Sequence, residues 1–335
     1  MSSTQSADLL VPSQYSTIQS AIDAAAPNDV VQIAPGSYPG PIDLKGKAIT
    51  VRGTTDAVNV IVTGGASVVR CTTQEPTGTV IENLTITGGA ALVGGGIRLE
   101  GASPTIRNCR VISNSATANP GATDAYGAGI SVIGGAPNIT GCLIASNFLS
   151  ALTDGYWRPS GSGAGISLQS TSATIVDCNI TGTFASASGA CYAFGAGAYV
   201  GSGGNPTFSR CRFSANVVSN QLYQSCSYSD TGMAICFSSG ATASLDGCEF
   251  RQHGASLGGC GGPAVIAMKS NPTLVYIFNC VFCGNVGQAV AGTYVDLGNN
   301  RFQSECTSCT ADLNGDGKVD GADLGILLVE WGVCH

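Results

Sequence analysis

Apolar residues fall at alternate positions in short runs, and the runs return in sets. The strings PTIRNCRVISN, PNITGCLIASN, ATIVDCNITGT, PTFSRCRFSAN, ASLDGCEFRQH and VYIFNCVFCGN each hold one cysteine with an apolar residue three before it and another two after it. These cysteines, Cys109, Cys142, Cys178, Cys211, Cys248 and Cys280, recur at intervals of 33, 36, 33, 37 and 32 residues. A fixed period with one held position marks a stacked repeat. Each repeat breaks into three strands. The first follows a small-residue run (GGGIRLE, GAGISVI, GAGISLQ, GAGAYVG, GMAICFS, GPAVIAM), the second ends before the cysteine, and the third starts at it.

Alternation then predicts which side chains face inward. Ile106, Ile139, Ile175, Phe208, Leu245 and Ile277 form one row, and Val111, Ile144, Ile180, Phe213, Phe250 and Phe282 a second. Ile97, Ile130, Ile166, Ala198, Ile235 and Val265 form a third. The six cysteines share the inward face with the second row. Five residues past each cysteine stand Asn114, Asn147, Thr183, Asn216, His253 and Asn285, a polar row suited to a corner. Weaker copies place Asn83 and Asn300 at the cysteine position, for about eight coils or more. The expected architecture is an all-β, right-handed parallel β-helix with three strands per coil.

Composition adds limits. Of the 335 residues, 47 are glycine and 10% are charged, which suits tight corners and a surface of Ser, Thr, Asn and Gly. A net charge of −7 excludes a basic nucleic-acid surface. No apolar run is long enough to span a bilayer. Fifteen cysteines in a chain poor in Lys point to an extracellular or cell-surface setting. The ladder cysteines are expected as free thiols, acting as small buried hydrophobes, because in-register neighbours are poorly aimed for bridging. Met1 leads into SSTQSADLL, which has no basic start and no apolar core, so no signal peptide is expected in this chain.

At the N-terminus, Ser13 or Ser16 is placed to cap a short helix over TIQSAIDAAA, with Ile18 and Ile22 on one face. VVQIAPGSY and IDLKGKAITVRG follow as strands and turns. Tyr15, Thr17, Ile18, Gln19, Ala21, Ile22, Pro35, Gly36, Tyr38, Gly46, Lys47, Ile49, Val51 and Gly53 together resemble the opening of right-handed parallel β-helix proteins of the pectate-lyase-like superfamily. The resemblance covers roughly residues 9–305 and implies that this opening caps one end of the solenoid. It implies no single activity, because the fold carries lyases, hydrolases, epimerases, adhesins and inert fibres.

Segments of uneven length recur at one point of the repeat: TANPGATDAY, LSALTDGYWRPSGSG, ASASGACYAF and VSNQLYQSCSYSD. They are expected as loops on one face, carrying Tyr126, Tyr156, Trp157, Tyr192, Phe194, Tyr223 and Tyr228 for sugar stacking, for subunit contact or simply packed on the loops. A bridge between Cys191 and Cys226 is compatible with their neighbouring loops. The tail, CTSCTADLNGDGKVDGADLGILLVEWGVCH, spaces Asp312, Asn314, Asp316, Lys318, Asp320 and Asp323 as positions 1, 3, 5, 7, 9 and 12 of a calcium loop, with Gly317 at 6. Asp rather than Glu at position 12 resembles a dockerin loop. Dockerins carry two such loops, so one loop weakens any expectation of cohesin binding. Cys309 and Cys334 flank the motif, and the helix after it, apolar nearly all round, must be buried. The expected organisation is a cap over 1–53, a β-helix over 54–305 and a calcium-binding loop-helix module over 306–335.

The carboxylate pairs and His-Gly strings of the superfamily's pectin hydrolases are absent. Arg212, Asp246 and Glu249 are the candidate catalytic residues, placed close across adjacent coils. The bland alternative is a surface ion pair. The expected function is therefore a secreted non-catalytic β-helix, adhesive or self-assembling, with Ca²⁺ as its cofactor. Its partner would be itself or a cell-surface or polysaccharide ligand. The competing expectation is a polysaccharide lyase or hydrolase, or a carbohydrate-binding module, working through the loop-lined face.

Overall fold

The computed structural model describes residues 6–306, apart from 122, 153–155, 157–158, 189–191, 222–231, 254–263 and 269–272. Three parallel sheets of eleven, ten and nine strands wind as a right-handed β-helix. In the coil around Cys109, Thr105–Arg107 belongs to the first sheet and Arg110–Ile112 to the second, and Ile130–Ile133 closes the turn in the third. Strands within the stack pair in parallel with the coils above and below, so the inward rows stack as predicted: Ile106 on Ile139, Val111 on Ile144, Ile97 on Ile130. The second row ends in an aromatic stack, with Phe213, Phe250, Phe282 and Phe302 at successive ring separations of 5.2, 4.6 and 4.9 Å.

Three details differ from the sequence reading. Ile266, not Val265, continues the third row, because the register shifts by a residue after Gly232. Leu84, not Asn83, stands at the cysteine position. Asn83 instead has a positive φ of 56°, like the residue before each cysteine, and Leu84 is fully buried. Asn300 does occupy the cysteine position, where its Oδ1 accepts from the Cys280 N–H at 2.9 Å and its Nδ2 donates to the Ile277 carbonyl at 2.9 Å. The helix runs Ile18–Ala24 and is capped by Thr17, with Ser20 completing a capping box, rather than by Ser13 or Ser16.

The six ladder cysteines are buried and free. Each thiol reaches a carbonyl of the coil before it, from Cys211 to Ile175 at 3.4 Å to Cys142 to Ile106 at 3.7 Å. Hydrogen bonding to the neighbouring thiols, then burial, pushes Cys142 and Cys248 well above the ordinary thiol range, so they stay protonated.

The corner row is hydrogen-bonded throughout and buried except at Asn285, which is partly exposed. Asn147, Asn216 and Asn285 donate from Nδ2 to Val111, Ile180 and Phe250 at 2.8–2.9 Å. His253 takes the same position. Its Nδ1 accepts from the Asn216 N–H at 3.3 Å and its Nε2 lies 3.2 Å from the Phe213 carbonyl, so the neutral Nε2–H tautomer reproduces both bonds of an amide.

The resemblance residues at the N-terminus have concrete duties. Lys47 Nζ donates to the carbonyls of Ile22, Asp23 and Ala25 at 2.7–2.8 Å, satisfying the helix C-terminus. Gln19 accepts from the Asp43 N–H at 2.8 Å and donates to the Asp43 carbonyl at 3.2 Å, so its amide pairs the strand Ile42–Asp43 at the edge of the third sheet. Ile18, Ala21 and Ile22 bury against the first coil.

Two outcomes are expected. Lys47→Met leaves three helix-end carbonyls without their charged donor and should cost about 2 kcal/mol, read as a lower urea midpoint. Burial lowers His253 from the ordinary 6.5 to about 4. Its neutral form therefore contributes stability that is complete above pH 6.5 and lost as the pH falls to about 4, a span worth about 3 kcal/mol. His253→Asn should remove that loss, so that the urea midpoints of variant and parent diverge between pH 6.5 and 4. Parallel pH profiles would rule the assignment out.

Candidate functional site

Two further parallel sheets emerge where loops were expected. A four-stranded sheet comprises Ser115–Ala118, Phe148–Ala151, Phe184–Ser188 and Val217–Gln221, and a three-stranded sheet comprises Ala125–Tyr126, Ser160–Ser162 and Tyr192–Phe194. Both lie between the corner row and the third strand of each coil, so they form a lobe on one side of the solenoid. The two layers meet across Ala116, Ala118, Leu149, Ala151, Ala185 and Ala187 from one side and Ala125 and Ala193 from the other. These strands alternate Ala with Ser, a period-two pattern too weakly apolar to read as strand. That is why they passed for loops.

The second of these sheets turns into the third sheet of the solenoid through GAG or GGG. Gly94, Gly127, Gly163 and Gly195 lead, all at positive φ between 58° and 72°. The middle alanines, Ala128, Ala164 and Ala196, fill the lobe's core. This turn folds the three-stranded sheet back toward the outward row of the third sheet, Arg98, Ser131, Ser167, Tyr199 and Cys236. Ser131, Ser167 and Cys236 point outward from the solenoid yet are wholly buried. On the lobe side, Tyr126, Ser162 and Phe194 align in one row.

A polar cluster sits where these two faces meet. Asp124 accepts from the Tyr126 hydroxyl at 3.1 Å and from the Ser160 N–H at 2.7 Å. Burial first, then the Asp124 charge, raises the Tyr126 phenol far above its ordinary value. Burial also raises Tyr199, opposed by its hydrogen bond with Ser238, and the Asp124 charge reaches it too. Both phenols are therefore neutral donors at any physiological pH, and neither is a base. Ser131 Oγ is buried with no hydrogen-bond partner among the described residues. Tyr192 stacks on Phe194 at 5.9 Å, half-exposed beside the cluster. Nearby on the third sheet, Arg98 Nε pairs with Glu100 at 2.7 Å, and Arg70 stands next to Arg98 in the same row.

The candidate catalytic residues do not form one site. Arg212 and Glu249 pair at 2.7 Å on the outer face of the second sheet, and Arg251 closes on the same carboxylate. Asp246 lies in the first sheet, on the other side of the Cys248 corner, where it accepts from Asn279 Nδ2 at 3.2 Å. The strand direction changes at that corner, so closeness in sequence does not bring Asp246 to Glu249. Glu249, held by two guanidiniums, is an ion-pair member rather than an available base. Exposed pairs of this kind contribute little to stability.

Among the described residues, no group of three or more His, Cys, Asp or Glu is arranged to hold a metal. The calcium-loop residues Asp312, Asn314, Asp316, Lys318, Asp320 and Asp323 lie outside the described residues, as do Trp157, Cys191, Tyr223, Cys226, Tyr228, Cys309 and Cys334. Of the loop aromatics, Tyr126, Tyr192 and Phe194 are strand residues, and Tyr156 is 93% exposed. Asp124 and Tyr199 were missed from the sequence. The available signal was an aromatic at 199 in an outward position held by serine in the two coils before it. No helix among the described residues is long and apolar enough to cross a membrane.

No protein-family model matches the chain, and no curated protein matches it in sequence. Several solved structures follow a similar course. An alginate lyase from Paenibacillus sp. str. FPU-7 is 14% identical over 89% of this chain and 98% of its own, with a TM-score of 0.38. A pectin methylesterase from carrot is 12% identical over 93% and 86%, with a TM-score of 0.39. The enzyme of that name from Aspergillus niger is 14% identical over 93% and 89%, with a TM-score of 0.41. These are likenesses of winding at low identity, and the strand register above establishes the β-helix without them.

Proposed function

We propose that this is an extracellular polysaccharide-binding β-helix that engages its ligand at the lobe, without cleaving it. The observation that carries the reading is the cluster of Asp124, Tyr126, Tyr192 and Tyr199 where the lobe meets the third sheet. Half-exposed rings beside a carboxylate and two neutral phenols offer what a sugar needs: a flat apolar face to stack on, and donors and an acceptor for its hydroxyls. Successive coils repeat at about 4.8 Å along the stack. A linear glycan therefore suits the surface better than a compact ligand. The extracellular setting is supported by the disulfide between Cys283 and Cys306.

Against cleavage stand the separation of Asp246 from Glu249 and the raised pKa of both phenols. Elimination or hydrolysis needs a group that accepts a proton near neutral pH. The lyase or hydrolase reading predicts unsaturated uronate or new reducing ends on a panel of neutral and acidic polysaccharides. Neither is expected. Release of either product would replace this reading with the enzymatic one.

Affinity electrophoresis in the same panel should show retardation by at least one polysaccharide. Tyr126→Ala combined with Tyr192→Ala should weaken it tenfold or more, while Arg212→Ala should leave it unchanged. A chain retarded by none of the panel, or equally retarded with both tyrosines removed, would sink the proposal.

The tail is proposed to bind one Ca²⁺ through Asp312, Asn314, Asp316, Asp323 and the Lys318 carbonyl, with Asp320 at the ninth position. Titration calorimetry on chelator-treated protein should give one site per chain. Asp312→Ala should abolish it.

A further inference from the structure

The two ends of the solenoid are finished differently. At the first, the helix Ile18–Ala24 covers the coil and buries Ile18, Ala21 and Ile22. At the last, the strands Gln288–Ala291, Val295–Gly298 and Arg301–Gln303 each have, among the described residues, a neighbouring strand on one side only. Apolar side chains are bare there: Phe302 is 49% exposed, Val286 52% and Leu297 57%. Phe302 stacks one ring face on Phe282, nearly parallel at 13°, and so leaves its other face turned away from the core. An aromatic core column whose last ring is half exposed, at the end of sheets that carry no further strand among the described residues, is a surface that needs a cover.

We propose that this end is covered in cis by the chain's own residues 307–335, with the apolar run Leu324, Ile326, Leu327, Leu328, Val329 and Trp331 seated on Phe302 and Leu297. The tether supports that occupant. Cys306 is bonded to Cys283 in the last full coil, so the 29 following residues start at this end of the stack. The 18 residues from Cys306 to Leu324 reach at most about 60 Å when extended, ample to cross one coil. A covalently held segment competes for the surface at a local concentration on the order of millimolar, which a second copy in solution does not match. The run itself is apolar nearly all round and needs burial.

The chain has two tryptophans, so Trp157→Phe leaves Trp331 as the reporter. In the full-length, disulfide-bonded protein with Ca²⁺, acrylamide should quench Trp331 several-fold less than free N-acetyltryptophanamide. That protection should be independent of protein concentration, with a monomer in sedimentation velocity. Phe302→Asp should raise quenching to the free level. Leu297→Asp, at a more exposed position that leaves the coil's packing untouched, should do the same. A freely quenched Trp331 would overturn the proposal. So would protection that survives both substitutions. Protection that appears only with concentration, alongside a dimer, would assign the surface to a second copy instead.

Discussion

A row of polar corner side chains, most of them amides that bond to the coil before, constrains the rest of the wall. Asn147, Asn216 and Asn285 donate from Nδ2 to a carbonyl one coil back, and that bond closes only at the parallel-strand spacing. The opposite wall yields to it. A Cβ on Gly96 or Gly129 would lie 2.8 Å from the Asn114 or Asn147 Nδ2, and one on Gly197 3.0 Å from the Asn216 Nδ2. The next coil's backbone carbonyl is nearer still, 2.6, 2.5 and 2.4 Å from those same positions, so the close stacking of the coils holds this row to glycine and the amides reinforce it. Of the substitutions within the row, His253 holds the amide pattern as a neutral imidazole, whereas the Thr183 hydroxyl turns to the coil after it, 2.7 Å from Asn216 Oδ1. A buried polar row left partly unpaired would cost more than an apolar one.

With the interior filled by stacked rows, chemistry is left to what projects from the wall. The lobe is the main projection. Its inner seam is alanine, which lets two sheets approach closely. Its seam with the third sheet is serine and tyrosine, and holds Asp124 against Tyr126. The cysteines, although numerous, stay outside that chemistry. Those of the ladder are buried thiols bonded to carbonyls, and the bridge between Cys283 and Cys306 sits at the last coil, where it fixes where the tail begins.

The repeat, the three strands per coil, the inward rows and the polar corner were all legible in the sequence. Each is a local rule, alternation by two or recurrence near 33 residues, and stacking copies of one unit gives such rules a single three-dimensional reading. The N-terminal cap was legible for the same reason, although Thr17 rather than a neighbouring serine holds it. The register slip that brings Ile266 into the third row was not legible, because a missing residue leaves alternation intact on either side of it.

The sites depended on distances that no period encodes. Arg212 and Glu249 met because they occupy equivalent positions in adjacent coils, whereas Asp246, three residues from Glu249 in the chain, lies around a corner on another sheet. The lobe's alanine strands and the meeting of Asp124, Tyr126 and Tyr199 arise from a fold-back at Gly127, Gly163 and Gly195, and their partners lie on different coils and different sheets. The sequence by itself determined the solenoid, because in a solenoid neighbours in space are neighbours in period. Tertiary structure alone decided which side chains outside that period meet, because there the contact depends on how far each coil's excursion travels before it turns back.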